Sequence, residues 1–378
     1  MLPATPTTKS PQVRRKRFIR QPEKLGGKQV TPKTLSGLAI VERYRLLPSS
    51  LLVRLMPGEI TNNYEHLRTL FDLGYISRFA LPTLLGKPGE FVYYLDSLSS
   101  LRLLIEQGLI QPGESLKHRE EIIRLNREKA YSQLHKDPDQ QGKLLYIQHE
   151  LMVSRFHAIL ELGCRLPKVA GKIILEQWKQ GTELWSRVEL PEVKPSYFDD
   201  QLKRTVWEEL QSKEHLAHRP DAFFTLFLPD NPLEQQRLHF FYEADRGSSN
   251  TSRYKMKLRA HWHYIFKQQL YKQPPYSVPR IKAVLTETLT QRWADNLREA
   301  AKENLVSGSK PSPLFWFTSS ETLSTWPAGK EPPAKQTKSR PLSRALAEPH
   351  VIFTKIWQTP ATGDQKFHFG NEPRATGV

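Results

Sequence analysis

Two apolar strands that each carry a carboxylate at one end constrain this chain more than any other feature. Residues 237–246 (RLHFFYEADR) form a buried-strand pattern that ends in Glu243 and Asp245, and residues 220–227 (PDAFFTLF) form a second apolar run after Asp221. Charge at the end of a buried strand is costly unless it is paired or bound to a cation. The pattern therefore predicts a mixed sheet with a carboxylate cluster at one edge.

The elements around these two strands indicate an α/β (α+β) domain that spans residues 143–325. An amphipathic helix over residues 144–163 comes first, and its 3.6-residue period places His149 and Glu150 on the apolar face. A strand over residues 182–190 precedes the two apolar strands, and a helix, a strand, a helix and a strand follow them. This order resembles the mixed-sheet core of restriction-endonuclease-like folds.

The carboxylates of restriction-endonuclease-like enzymes serve a metal ion. Two or three of them hold Mg²⁺, which polarises the scissile phosphate, while a lysine orients or deprotonates the attacking water. In this chain the corresponding catalytic carboxylates are Glu150, Asp221 and Glu243, and Asp221 and Glu243 are the predicted metal ligands. The resemblance therefore implies Mg²⁺ as a cofactor.

One residue departs from that nuclease pattern. Asp245, which joins the predicted catalytic cluster, stands where the lysine of a Glu-x-Lys motif is expected, so the cation would have to come from Lys255 or Lys257 on the next helix. Arg246, Arg253 and Lys255 add positive charge at the strand end, where we expect contacts with DNA phosphates. Three roles stay open from the residues alone: Mg²⁺-dependent cleavage, a DNA-facing site that does not cleave, and structural ion pairs.

The N-terminal part of the chain predicts a winged helix-turn-helix over residues 35–112. Three helical segments, the third starting at about Asn62, precede two strands at residues 75–81 and 91–96. Such a domain places its third helix in the major groove and its hairpin, the wing, against the DNA backbone. The residues expected to face DNA are Asn63, His66, Arg68 and Thr69 on the third helix and Lys87 at the wing tip.

The charge of the chain indicates a polyanionic partner. Lys and Arg number 56 against 39 Asp and Glu, a net charge of +17, and we expect double-stranded DNA as the partner ahead of an anionic membrane. Residues 1–34 are basic with little to pack, which predicts a disordered arm. We also expect a helical connector over residues 113–142, a flexible basic Pro-rich segment over 326–350, and a closing strand with a loose tail over 351–378.

Cysteine content and hydropathy indicate the cellular compartment of the protein. The single cysteine, Cys164, excludes an intrachain disulfide and a cysteine-rich zinc site, which is compatible with a reducing cytoplasm. No apolar run approaches the ~18 residues of a transmembrane helix. We therefore expect a cytoplasmic protein that does not contact a membrane.

Several segments, taken in order, resemble the bacterial replication-relaxation proteins of plasmids and other mobile elements. The resemblance spans about residues 40–320 and rests on HLRTLFDLGYISR, FVYYLD, QHELMVSRF, RPDAFF, FFYEADRGS and KMKLRAHWHYI, of which the last three are the most specific. Ser248 stands where threonine is common in such proteins. The family pattern falls on His149, Glu150, Pro220, Asp221, Glu243, Asp245, Arg246, Gly247 and Lys257.

This resemblance implies a DNA-binding protein of the bacterial cytoplasm that acts in plasmid replication and in relaxation or mobilisation of DNA. Replication or mobilisation proteins would be further partners. Relaxation could mean nicking, assistance to a topoisomerase or loading of another enzyme. Two alternatives stay open: a divalent-metal-dependent DNA nicking endonuclease, and a winged-helix transcriptional regulator whose second domain only dimerises.

Overall fold

The chain folds into two compact units of mixed helix and sheet. They divide between Lys143 and Leu144. A computed structural model of the 378-residue chain describes residues 19–27, 29–80, 90–111, 115–134, 141–201, 204–247, 250–308, 310–325, 343–362 and 365–369. Lys87, the predicted wing-tip contact, lies outside these ranges.

Helices and a small antiparallel sheet form the first unit. The helices are α1 (Pro32–Tyr44), α2 (Ser49–Leu55), α3 (Ile60–Asp72), α4 (Leu98–Glu106) and α5 (Ser115–Leu134). The strands are β1 (Leu47–Pro48), β2 (Ile76–Ala80) and β3 (Phe91–Leu95), in the order β1-β3-β2. The core of this unit includes Leu38, Leu52, Leu67, Leu70 and Val92, each of which is fully buried.

The first helix begins earlier than the sequence predicted. Its N-terminus is fixed by a capping box in which the Thr34 amide donates to Thr31 Oγ1 at 3.3 Å, and Pro32 fits the first turn. Further back, Arg20 Nε donates to the carbonyl of Phe71 at 3.1 Å. The predicted boundary of the basic arm at residue 34 is therefore corrected, because the described residues from 19 onward belong to the folded unit.

A seven-stranded mixed sheet, a two-stranded hairpin and their helices form the second unit. The helices are α6 (Gln141–Arg165), which leads into this unit, α7 (Thr251–Trp262), α8 (Gln291–Ala300), α9 (Asn304–Ser307), α10 (Ser320–Ser324) and α11 (Arg344–Ala347). The strands are β4 (Ile174–Lys179), β5 (Ser186–Asp199), β6 (Arg204–His218), β7 (Ala222–Phe227), β8 (Arg237–Asp245), β9 (Ala283–Thr288), β10 (Phe315–Ser319), β11 (Trp357–Gln358) and β12 (Lys366–Phe367).

The order of the strands in this sheet is β12-β11-β10-β9-β8-β7-β4. Strands β8, β9 and β10 are mutually parallel, with Phe241 opposite Val284, whereas β7 runs antiparallel to β8, with Phe223 opposite Phe241. These central strands are buried on both faces, which explains their nearly continuous apolar sequences. On one face, the ring of Phe156 from α6 stacks on Tyr242 with a centroid distance of 4.1 Å.

Two strand predictions are only partly right in this unit. The segment predicted as the first strand, residues 182–190, is a strand from Ser186 onward, but it belongs to a long hairpin, β5–β6, that forms a two-stranded sheet of its own. Strand β4 takes its place beside β7. The predicted closing strand over residues 351–358 is reduced to β11, because Pro349–Phe353 forms a 3-10 turn.

Two segment boundaries also differ from the prediction. The helix predicted for residues 252–270 ends at Trp262 and continues as a π-helical turn, His263–Lys267. The described end of the Pro-rich segment, residues 343–350, contains α11 and the start of the 3-10 turn that follows, so this part is folded. Residues 326–342 lie outside the described ranges.

Candidate functional site

Asp221 and Glu243 are brought together by the pairing of β7 with β8. Asp221 directly precedes β7, its amide donates to the carbonyl of Tyr242 at 3.1 Å, and its Oδ2 accepts from the amide of Ala244 at 2.8 Å. Glu243 lies on β8 between those two residues and is 1% exposed. The backbone of the sheet therefore fixes both carboxylates at the same edge, as the sequence predicted.

Lys257 supplies the positive charge at these carboxylates. It lies on α7, which follows β8, and its Nζ contacts Glu243 Oε2 and lies 4.0 Å from Asp221 Oδ2. Of the two lysines proposed from the sequence, Lys257 is the one at the site. Lys255 points elsewhere, with its Nζ 2.9 Å from both carboxylate oxygens of Glu303.

The electrostatics of this pair follow from burial and proximity. Burial raises the pKa of Glu243, and the charge of Lys257 opposes that rise. For Lys257, burial alone would lower the pKa, but Glu243 and Asp221 outweigh burial and raise it. Lys257 is therefore a permanent cation, held between two acidic side chains.

His149 closes the cluster from the side of α6. Its Nε2 lies 3.1 Å from Asp221 Oδ1, and its Nδ1 lies 3.5 Å from Glu150 Oε1. Burial alone would lower the pKa of His149, but the carboxylates of Asp221 and Glu150 raise it to about 10. In turn, His149 and Lys257 overcome the effect of burial on Asp221 and hold its pKa below the ordinary value. His149 thus links Glu150 to Asp221.

A chain of two buried histidines, neither of which was predicted from the sequence as a site residue, begins at the other oxygen of Glu243. His261 Nε2 lies 2.6 Å from Glu243 Oε1, and His218 Nε2 lies 3.0 Å from His261 Nδ1. Each histidine is 1% exposed, and burial lowers the pKa of His218 well below its usual range. An ionised carboxylate only accepts, so His261 carries its proton on Nε2 and accepts from His218 on Nδ1.

The sequence contained one signal for half of this pair. His261 lies four residues after Lys257, so a helix places both side chains on one face, toward Glu243. His218 ends β6, a strand that was not predicted, and only the tertiary fold brings it to His261. Its ring also stacks on Tyr264 at a centroid distance of 3.8 Å.

Asp245 shapes the exit of β8 and makes contacts different from those predicted. Its Oδ1 accepts from Trp293 Nε1 at 2.8 Å and from the Gly247 amide at 2.7 Å. Gly247 has a φ of +79°, a conformation that glycine adopts readily, and a Cβ there would lie 3.6 Å from Trp293. These contacts give Asp245 a structural role in the turn that follows the strand.

The predicted phosphate contacts near the cluster differ in exposure. Arg246, next to the strand end, is half-buried. Burial lowers the pKa of Arg246, and the carboxylates of Asp245 and Asp221 oppose this effect without reversing it. Arg253 is exposed in the first turn of α7. Lys255 is engaged with Glu303, as described above, so Arg246 and Arg253 are the better placed cations.

The predicted DNA-reading face of α3 is wrong at two of its positions. Asn63 is 1% exposed, and its Nδ2 donates to the carbonyl of Val53 at 2.9 Å. Thr69 is also buried and donates to the carbonyl of Glu65 at 3.0 Å. The helix begins at Ile60, and Asn63 lies one turn before the core residue Leu67, on the same face.

The other two predicted contacts on this helix are only partly accessible. Arg68 Nε lies 2.7 Å from Asp72 Oδ2, and its guanidinium lies over the ring of Phe71. His66 is half-buried. The exposed residues of the helix after Ile60 are Thr61, Asn62, Tyr64 and Glu65.

A Mg²⁺ ion does not fit the cluster as it is arranged. Asp221 Oδ1 faces His149, and Asp221 Oδ2 accepts from the Ala244 amide and faces Lys257. Glu243 Oε1 faces His261, and Glu243 Oε2 contacts Lys257. Every oxygen of the two predicted metal ligands already lies against a donor, and a cation already lies between them.

Comparison with known proteins gives no relative of this chain. No protein-family model, curated protein or solved structure matches the chain. Within the described ranges, no three or more His, Cys, Asp or Glu side chains form a group that could hold a metal ion. No helix in the described part of the chain is long and apolar enough to cross a membrane.

Proposed function

We propose that this chain is a DNA-binding protein of a plasmid or mobile element. It acts in plasmid replication and in relaxation or mobilisation of DNA, and its Asp221–Glu243 site contacts DNA without cleaving it. Membership of the replication-relaxation family is part of this proposal and rests on the ordered motifs, above all RPDAFF, FFYEADRGS and KMKLRAHWHYI. The partners are double-stranded DNA and the proteins of replication or mobilisation.

The observation that carries the proposal is the contact of Lys257 with Glu243, beside Asp221. Apart from the β5–β6 hairpin, which lies between β4 and β7, the elements α6, β4, β7, β8, α7 and β9 give a helix, three antiparallel strands, a helix and a parallel strand in chain order. This arrangement supports a nuclease-like domain with its acidic residues at the expected edge. The lysine neutralises those residues, so the site can approach a phosphate without the repulsion that bare carboxylates would exert.

DNA binding is further supported by charge and by the first unit. The net charge of +17 favours association with a polyanion. Helices α1–α3, with β1 between α1 and α2 and with β2 and β3 after α3, support a winged helix-turn-helix that has α3 in the major groove. Because Arg68 is engaged with Asp72, the exposed face of α3 would read bases through Asn62 and Tyr64, and phosphate neutralisation would come from other segments.

A second candidate function is a divalent-metal-dependent nicking endonuclease. It is favoured by one observation: a lysine reaches the two strand carboxylates, as a nuclease lysine would. It requires Lys257 to leave the position where the metal would bind. The third candidate, a transcriptional regulator, would use the first unit alone for DNA.

The salt dependence of binding to duplex DNA tests the proposal. We expect the affinity to fall roughly a thousandfold or more between about 50 and 200 mM salt, as for a protein that contacts about six to ten phosphates. Deletion of residues 1–18, which include five Lys or Arg residues and no acid, should make this dependence less steep. Deletion of residues 370–378, which carry one acid and one arginine, is the matched control. An affinity that does not change with salt would contradict the proposal.

A further inference from the structure

The space between Asp221 and Glu243 is filled by a side chain of the protein itself. Lys257 Nζ contacts Glu243 Oε2 and lies 4.0 Å from Asp221 Oδ2, and the lysine side chain is 33% exposed. Two carboxylates that share one cation between them are one of the arrangements by which proteins bind Mg²⁺. Here an ammonium group takes that position.

We propose that the Lys257 ammonium is a built-in substitute for a divalent cation. It keeps the site assembled without metal, and removal of its charge converts Asp221 and Glu243 into a binding site for Mg²⁺ or Mn²⁺. The inference rests on the proposed function for its meaning in the cell. Metal binding is measured without DNA, however, so the two proposals can fail separately.

The charges of the cluster support this substitution. The Lys257 ammonium contacts Glu243 Oε2 and lies 4.0 Å from Asp221 Oδ2. A divalent ion that entered between the two carboxylates would meet this ammonium at close range, where the repulsion is strong because the surroundings are poorly solvated. Without Lys257, the two carboxylates face each other with no ammonium between them and attract a metal ion.

The rigidity of the carboxylates supports the second half of the proposal. Glu243 is 1% exposed and is held by His261 and, behind it, His218, so it cannot rotate toward solvent when the lysine is removed. Asp221 is held by the amide of Ala244. The variant would present one oxygen of each carboxylate, Glu243 Oε2 and Asp221 Oδ2, to the vacated space. Mg²⁺ commonly binds through one or two carboxylates and keeps several waters.

An ordinary buried ion pair would behave differently. If Lys257 only neutralised Glu243, its removal would leave a destabilised protein that protonates Glu243 and gains no affinity for metal. The two possibilities therefore differ in metal binding by a folded variant. Stability alone does not separate them.

The experiment measures Mn²⁺ binding by calorimetry and by the electron paramagnetic resonance of free Mn²⁺, on the full chain without DNA. Lys257→Ala is compared with wild type and with Lys255→Ala, the matched control from the same helix whose partner is Glu303. We expect Lys257→Ala to bind one Mn²⁺ roughly tenfold or more tightly than wild type or Lys255→Ala. The added substitution Glu243→Gln should abolish this binding.

Two results would overturn the inference. One is a wild-type protein that binds Mn²⁺ at a site lost in Glu243→Gln. The other is a folded Lys257→Ala protein that binds Mn²⁺ no more tightly than wild type. If Lys257→Ala unfolds in EDTA, refolding in Mn²⁺ decides: recovery of the fold supports the substitution, and failure to recover contradicts it.

Discussion

His149 Nε2 lies 3.1 Å from Asp221 Oδ1, so a helix side chain from α6 and the residue before β7 form one charged pair at the edge of the sheet. The pair is continued by Lys257 and Glu243, so positive and negative groups alternate across the site. Each charge stabilises its neighbours. The consequences are measurable in stability, in coupling between residues and in DNA binding.

The first prediction concerns the pH dependence of stability. The pKa of His149 is raised from its ordinary value of 6.5 to about 10 in the folded protein. The contribution of its charge to stability is therefore fully present below about pH 6.5 and is lost as the pH rises toward 10. Wild type should lose more free energy of unfolding over this range than His149→Gln does, measured by urea denaturation.

His215→Gln, at an exposed position on β6, is the control variant for this first prediction and should follow the wild-type pH dependence of stability. Equal losses of stability in wild type and His149→Gln would show that the Asp221 pair does not hold the imidazolium.

The second prediction concerns the coupling of Lys257 to Glu243. Lys257→Met removes the cation and leaves Glu243 buried, which should lower the free energy of unfolding by about 3 kcal/mol. Glu243→Gln in the same chain should recover a large part of this loss, because no uncompensated charge remains. Chemical denaturation of the two single variants and the double variant gives the coupling energy. Strictly additive effects would contradict a direct interaction.

The third prediction separates the buried face of α3 from its exposed face. Asn63→Ala should lower stability by about 1–2 kcal/mol, because two main-chain carbonyls next to Asn63 lose their donor. Tyr64→Ala, at a position that is 44% exposed, should leave stability nearly unchanged and should weaken DNA binding. Fluorescence anisotropy with labelled duplex DNA measures the second effect. Unchanged DNA affinity in a folded Tyr64→Ala protein would contradict the proposed role of α3.

The sequence predicted the central strands well because their burial leaves a strong local signal. Strands β7 and β8 are apolar over most of their length, Asp221 directly precedes β7, and β8 carries Glu243 and Asp245 at its end, so the strands and their carboxylates were both visible. Of hairpin β5–β6, the sequence predicted the start of β5 alone, because the hairpin is buried mainly at its base, at Val188 and Leu190, while its outer half exposes Tyr197 and Phe198. An exposed two-stranded ribbon has no clear periodicity in sequence.

The site was predictable in part for the same reason. Asp221 and Glu243 lie at the ends of strong strands, Lys257 lies on the helix that follows the second strand, and the structure brings the three together. His218 and His261 are 43 residues apart and meet only through the fold. On α3, the spacing that placed Leu67 inside also places Asn63 inside, one turn earlier, so that error came from applying the period to only part of the helix.

Incubation of supercoiled plasmid with the purified protein tests the central claim most directly. Mg²⁺, Mn²⁺ and EDTA are compared, and DNA binding is recorded on the same samples. We predict that wild type binds the plasmid and leaves it supercoiled in all three conditions. Metal-dependent nicking that is lost in folded Asp221→Ala and Glu243→Ala proteins would contradict this account and would identify the cluster as a nuclease centre.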